Sequence, residues 1–277
     1  MSIRFKRVRH ERAASPPALV GGARSLTVGA VAVAGVMLAT GCGNSHSKGA
    51  PAKESASAAK LVQATTYTTL KGAPQDAAPS GSIDGTVVHP TESLKVSATP
   101  GGPPVAILPS KELGSPTWVP VVESKPGWQR VLLPSRPNHT SGWIPTSGGK
   151  VKSAHSSYVV KVDTSARRLT LLKSGRTVGT WTVAVGAAKT PTPTGRTFIL
   201  ASLAPAKATY SPLILPVGAH SETLDTFGGG PGTVAFHGWP QKSVFGKAVT
   251  HGCVRVPADA LKQLSSVPLG TPVQITS

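Results

Sequence analysis

The sequence predicts a mainly β chain: two successive β-rich blocks carrying one or two short helices. Two observations lead there. Apolar residues alternate with polar ones over short runs from Gly85 onward, and the chain's 30 glycines and 26 prolines break those runs every several residues. Period-two alternation bounded by turn residues is the pattern of half-buried strands, and many such short runs in succession argue for barrels or sandwiches.

Residues 1–41 read as a signal peptide. Arg4, Lys6, Arg7, Arg9 and Arg12 make a positive leader, and Leu26–Ala39 is an almost unbroken apolar run. About fifteen apolar residues suit a signal-peptide core and fall short of the roughly 20 that span a bilayer. The run stops at Ala39-Thr40-Gly41-Cys42, which resembles the lipobox of bacterial lipoproteins, although Ala39 stands where leucine is commoner. That resemblance implies lipid attachment at Cys42 and a place outside the cytoplasmic membrane, at its outer face or in the wall. Cleavage nearby without lipid is the plainer alternative.

Six Lys/Arg against one Glu in residues 1–41 leave +13 of the chain's +18 to the remainder. A basic balance can signal nucleic acid. Here an exported chain with no Lys/Arg run among aromatics and no zinc-finger spacing argues against it. Lipid head groups and wall polymers are the anionic partners left, and solubility alone is the bland reading.

Residues 42–84 are rich in Ala, Ser, Lys, Gly, Pro and Thr with little apolar periodicity, and are expected to be a flexible tether, with at most a weak helix near Ala58–Thr65. Residues 85–147 form the first β block. Leu94, Val96 and Ala98 alternate, as do Val105 and Ile107, and Trp128, Val131 and Leu133 follow. Gly127-Trp128-Gln129-Arg130-Val131 and Gly142-Trp143-Ile144 resemble the bacterial Src-homology-3-like domain, a small β-barrel. Residues 148–155 are expected to be a linker.

Residues 156–277 form the second block. Tyr158, Val160 and Val162 share one strand face; Leu169 and Leu171 begin a second strand after which Lys173-Ser174-Gly175-Arg176 turns; Trp181, Val183 and Val185 make a third. Thr233–Phe236 is a strand that delivers His237 to its end, Pro257–Leu264 a short helix with Asp259 near its positive end, and Val273–Ile275 the last strand. Gly228-Gly229-Gly230-Pro231-Gly232 lacks the Lys-Ser/Thr of a phosphate loop and reads as a turn.

The chemistry concentrates in Thr250-His251-Gly252-Cys253-Val254-Arg255, with Phe236-His237-Gly238 sixteen residues upstream of Cys253. Cys42 and Cys253 are the only cysteines. If Cys42 carries lipid, Cys253 is an unpaired thiol in an oxidising compartment, which is a liability unless it does chemistry. A thiol attacks carbonyls as thiolate and needs a neighbouring histidine or other positive group, for which His237 and His251 are candidates. Gly252 would let a carbonyl approach the backbone. A buried structural cysteine and a zinc site of His237, His251 and Cys253 remain as alternatives, the latter lacking a fourth ligand in the spacing.

Those two motifs resemble the L,D-transpeptidase catalytic domain, as do Thr190-Pro191-Thr192-Pro193-Thr194-Gly195-Arg196-Thr197-Phe198 and Gly270-Thr271-Pro272-Val273. The resemblance implies Cys253 as nucleophile, His237 as general base, His251 as a second histidine shaping the oxyanion pocket, and Gly252 and Cys253 as backbone donors. It makes Arg255 a candidate for a substrate carboxylate, with a structural salt bridge as the alternative, places Thr250 and Gly238 beside the substrate, and has Thr250 position the histidine or the loop. The implied reaction joins peptidoglycan stem peptides with release of D-alanine, without cofactor or metal, and carbapenem β-lactams are the implied covalent inhibitors. An L,D-carboxypeptidase and a non-catalytic wall-binding lipoprotein are the rival functions. A wall endopeptidase usually carries its cysteine before its histidine, the reverse of the order here.

Overall fold

The computed structural model describes residues 61–277 and, upstream, only Phe5–Arg7, whose backbone lies antiparallel to Leu203–Pro205. Cys42, the apolar leader core and the tether up to residue 60 lie outside the described residues. The described chain is mainly β, with one α-helix, α1 (Ala258–Leu264), and two 3-10 turns.

The first block is a seven-stranded antiparallel sheet. Its strands are β1 (Thr86–Pro90), β2 (Leu94–Ser97), β3 (Pro104–Leu108), β4 (Val119–Lys125), β5 (Trp128–Leu132), β6 (Ser141–Pro145) and β7 (Val151–His155). They run in the order β7-β1-β4-β5-β6-β2-β3. Leu94, Val96, Val131 and Ile144 form its interior, as the alternation predicted. In β3 the predicted face is reversed: Ala106 and Leu108 are buried, while Val105 and Ile107 are only half-buried. Ile107 lies beneath a neighbouring segment instead. Its N–H donates to the Val62 carbonyl at 2.9 Å and its carbonyl accepts the Ala64 N–H at 2.7 Å.

That neighbouring segment corrects two expectations. Residues 61–84 are neither a helix nor a tether but an extended strap bonded across both blocks. Leu70 N–H donates to the Arg136 carbonyl at 2.8 Å, Arg136 N–H to the Thr68 carbonyl at 2.9 Å, and Asp76 N–H to the His139 carbonyl at 2.7 Å. By covering the open edge of β3 it satisfies groups that would otherwise be left unpaired. Residues 151–155, expected in a linker, form β7, which pairs with β1 from Val151↔Pro90 to His155↔Thr86.

The second block holds two larger sheets and one two-stranded sheet. In one, β8 (Tyr158–Asp163), β9 (Arg168–Lys173) and β10 (Arg176–Thr182) continue into β18 (Pro272–Thr276) and β12 (Gly195–Phe198), in the order β10-β9-β8-β18-β12. The turn at Ser174-Gly175 has φ of 48° and 76°, the mirror-type geometry that two-residue hairpins favour. The third strand stops at Thr182; Val185 and Gly186 form a separate short strand, β11, paired with β16 (Ala248–Thr250). In the other sheet, β13 (Leu203–Pro205), β14 (Ile214–His220), β15 (Thr233–Gly238) and β17 (Val254–Val256) are neighbours in that order. Val160, Val162, Leu169 and Leu171 from the first sheet share a core with Val217, Phe236 and Val254 from the second and Leu264 of α1.

The two blocks are fused. Phe198 and Leu200 of the second block belong to the hydrophobic core of the first. Arg196 and Asp76 form a buried two-pronged ion pair, Nε to Oδ2 at 2.6 Å and Nη2 to Oδ1 at 2.7 Å. The planar guanidinium fork matches a carboxylate in this geometry.

Candidate active site

Two parallel-paired strands build the site. β15 and β17 pair as Phe236↔Val254 and His237↔Arg255, so the residue before β17, Cys253, falls at the level of Ala235. Parallel neighbours sixteen or more residues apart in sequence thereby place a thiol and an imidazole on one sheet face. Cys253 and His237 line the same cavity, of about 330 Å³, along with Tyr210 and Ala235.

The loop before Cys253 is held by threonines. Thr250, 2 % exposed, donates from Oγ1 to the Cys253 carbonyl at 2.6 Å and accepts the Gly252 N–H at 3.1 Å. Thr192 Oγ1 donates to the Gly252 carbonyl at 2.9 Å, and Thr190 Oγ1 to the Thr250 carbonyl at 2.8 Å. Gly252 has φ of 116°, in the left-handed half of backbone space that favours glycine. These bonds bear on two expectations. Thr250 is a buried brace of the loop. The Gly252 N–H is already donated, so it is not free for an oxyanion. The N–H of Cys253 itself is taken by no backbone carbonyl among the described residues.

His237 is 6 % exposed. Its Nδ1–H donates to the Gly238 carbonyl at 2.8 Å, which leaves Nε2 as the lone-pair nitrogen. Gly238 is held in turn by its N–H donating to Ser211 Oγ at 2.8 Å. The Gly238 carbonyl therefore orients the His237 ring. Burial pulls the His237 pKa down and the Arg255 charge lowers it further, against the opposing Gly238 carbonyl, so the ring is neutral at pH 7. Cys253 is half-buried. Burial pushes its thiol up to about 11, with the Ala235 N–H and the Arg255 charge pulling back. The resting pair is thus a neutral thiol and a neutral imidazole, with no direct hydrogen bond between them. Proton transfer belongs to the moment of attack, and apo-site contacts of this kind often close only around a substrate.

Arg255 stacks on Trp239, its Cζ 3.6 Å from the ring centroid. It makes no ion pair among the described residues, and its Nε is buried without a partner. The salt-bridge alternative for Arg255 therefore does not hold. Tyr210 completes the aromatic group, its ring 5.0 Å from His237 and 5.3 Å from Trp239. Thr192, Ser211, Tyr210 and Trp239 were not assigned roles by the sequence. Only the Thr-Pro repeat and the adjacency of Trp239 to His237-Gly238 carried any signal.

His251 is exposed and does not line the cavity. Of the two motif histidines, only His237 lines the cavity. No three His, Cys, Asp or Glu groups among the described residues come together as a metal site.

Residues 157–275 match the family model of the YkuD L,D-transpeptidase catalytic domain. That match supports an L,D-transpeptidase catalytic domain. A Bacillus licheniformis protein bearing the L,D-transpeptidase name YkuD is 35 % identical over 120 residues, 43 % of this chain and 66 % of that protein. The chain thus spans just under two thirds of that relative's length. Among solved structures, an L,D-transpeptidase from Mycobacterium smegmatis aligns at 18 % identity over 56 % of this chain and 80 % of that one, with a TM-score of 0.40. One from Mycobacterium tuberculosis H37Rv aligns at 14 % identity over 71 % of this chain and all of that one, with a TM-score of 0.41. The matched residues lie wholly within the second block, so the strap and first β block fall outside the family match.

Proposed function

We propose that this chain is a cysteine acyltransferase acting on peptidoglycan stem peptides, an L,D-transpeptidase whose nucleophile is Cys253. One observation carries the reading: His237 and Cys253 share a cavity, with Nδ1 of the imidazole committed to a carbonyl and Nε2 left to take a proton.

The steps follow from that geometry. Nε2 of His237 takes the thiol proton as sulfur attacks the carbonyl that precedes D-alanine. The N–H of Cys253, taken by no backbone carbonyl among the described residues, is available to the oxyanion, a contact worth several kcal/mol where well aimed. Collapse breaks the C–N bond, the imidazolium returns the proton to the leaving amine, and a thioester remains. The amine of a second stem attacks that thioester and regenerates the thiol. Arg255, without an ion-pair partner among the described residues and flattened against Trp239, suits a substrate carboxylate.

A solved relative, L,D-transpeptidase 3 from Mycobacterium tuberculosis, is titled as a complex with a faropenem-derived adduct. The corresponding test here is intact mass after exposure to faropenem or a carbapenem. One adduct is expected on the wild type and none on Cys253→Ala; equal labelling of both removes Cys253 as nucleophile. A donor with an amine acceptor then separates a transferase, which yields cross-linked dimer, from an L,D-carboxypeptidase, which yields only trimmed stems.

We further propose that Cys42 carries a lipid anchor and that the first block is Src-homology-3-like. Detergent-phase partitioning that persists in Cys42→Ser refutes the anchor.

A further inference from the structure

The cavity at Cys253 is not built by the catalytic block alone. Thr66 and Tyr67 of the strap and Leu113 of the first block line it as well. Thr66 is fixed there by a buried polar node. Its N–H donates to the Glu112 carboxylate, its carbonyl accepts from His220 Nε2 at 2.8 Å, and its hydroxyl meets Thr233 Oγ1 at 2.5 Å. Thr66 is 2 % exposed and His220 fully buried. Thr233 begins β15, the strand that ends in His237-Gly238, so the node ties the strap to the strand carrying the base.

The next residue, Tyr67, is 66 % exposed although it lines the cavity. Leu113 sits at φ of 47° in the hairpin between Lys111–Glu112 and Ser115–Pro116, a backbone region that branched apolar residues seldom enter. A large aromatic and a leucine are thus offered to the mouth of the site from outside the catalytic block. Phe227, Pro231 and Leu203 line the same cavity.

We infer that Tyr67 and Leu113 form a specificity wall for the acyl donor, contacting the part of the extended stem peptide remote from the reacting carbonyl. The occupant follows from continuity: the wall belongs to the same cavity as the sulfur, so whatever is acylated at one end passes the other. The inference rests on the acyl-transfer reading above.

The experiment compares Tyr67→Ala, Leu113→Asn and the double variant, asparagine being tolerant of positive φ. A stem tetrapeptide and faropenem serve as long and short acyl donors. In the double variant the tetrapeptide KM is expected to rise about tenfold with kcat within twofold, so that its kcat/KM falls about tenfold relative to faropenem acylation. Tryptophan fluorescence on the Cys253→Ala background should show a matching tenfold rise in tetrapeptide Kd. An unchanged KM and Kd overturns the inference, as does an equal loss for both donors, which marks a collapsed cavity. If the wild type neither labels nor turns over, the acyl-transfer reading falls, while the Kd comparison still reads the wall.

Discussion

Thr192 and Gly252 are joined by a 2.9 Å hydrogen bond from hydroxyl to carbonyl, and the same hydroxyl accepts the Gly186 N–H at 2.9 Å. One buried side chain thus fixes the backbone immediately before Cys253 against a strand from elsewhere in the block.

Thr192→Val keeps the shape and strands two buried backbone groups. It should cost about 1–3 kcal/mol of stability and slow faropenem acylation of Cys253 several-fold. Thr192→Ser should restore both. Acylation at the wild-type rate in Thr192→Val would show that the loop does not need this brace.

The neutral thiol–imidazole pair gives two pH signatures. Iodoacetamide, which needs only thiolate, should modify Cys253 slowly at pH 7 and about tenfold faster per pH unit toward the thiol value near 11. Acylation assisted by His237 should instead be level through neutral pH and fail only on the acid side, below the ordinary histidine value of 6.5, because burial lowers that pKa. His237→Ala should lose about 10²–10⁴-fold, and its residual acylation should climb with pH as alkylation does.

Arg255→Lys should raise the tetrapeptide KM several-fold, because an ammonium can neither stack flat on Trp239 nor grip a carboxylate with two donors. Kinetics on a donor lacking its terminal carboxylate check the role. A variant that weakens both donors equally would argue that Arg255 serves packing alone.

Glu112 and His220 pull stability in opposite directions. Burial raises the Glu112 carboxyl to about 7, opposed by the Thr66 N–H, so the folded state holds its proton more tightly and stability falls as pH rises from about 4.5 to 7. Burial lowers His220 to about 4, so the unfolded state binds the proton more tightly and stability rises between about 4 and 6.5. In the wild type the slopes largely cancel. Denaturant melts across pH 4–7 should slope upward in Glu112→Gln and downward in His220→Gln. Parallel profiles in all three proteins would contradict this assignment.

Asp76→Asn should cost about 3–5 kcal/mol, since it leaves the buried Arg196 guanidinium uncompensated. Burial pushes the Asp76 carboxyl up, yet the hydrogen bonds from Arg196 and the Ala78 N–H and the Arg196 and Arg130 charges hold it below its ordinary value. That contribution is present above about pH 4 and is lost in acid as the folded carboxyl protonates. Urea midpoints at pH 7 and pH 3 should show the variant's deficit shrinking at the lower pH.

The strand faces of the second block were legible because each is set by period-two burial: Val160, Val162, Leu169 and Leu171 are all inside. The reversed face of β3 was not, because the strap that covers Ile107 arrives from more than forty residues upstream and is polar in composition. The same cause hid the strap itself. Its order comes from backbone bonds and from Arg196, neither of which leaves an apolar rhythm. Cys253 and His237 could be picked from residue type and motif, but Thr192, Ser211, Tyr210 and Trp239 act by where they point. His251 shows the converse, a motif histidine left exposed.

By itself the sequence determined the mainly β class, the strand pattern of the catalytic block and the candidate thiol and imidazole, because these follow from local alternation and from the chemistry of single side chains. The tertiary structure alone decided which backbone donors are free, which nitrogen of His237 is left to take a proton, and that the strap walls the cavity. Those outcomes depend on hydrogen bonds between residues far apart in the chain, and a donor or acceptor is spent or spare only once its partner has arrived.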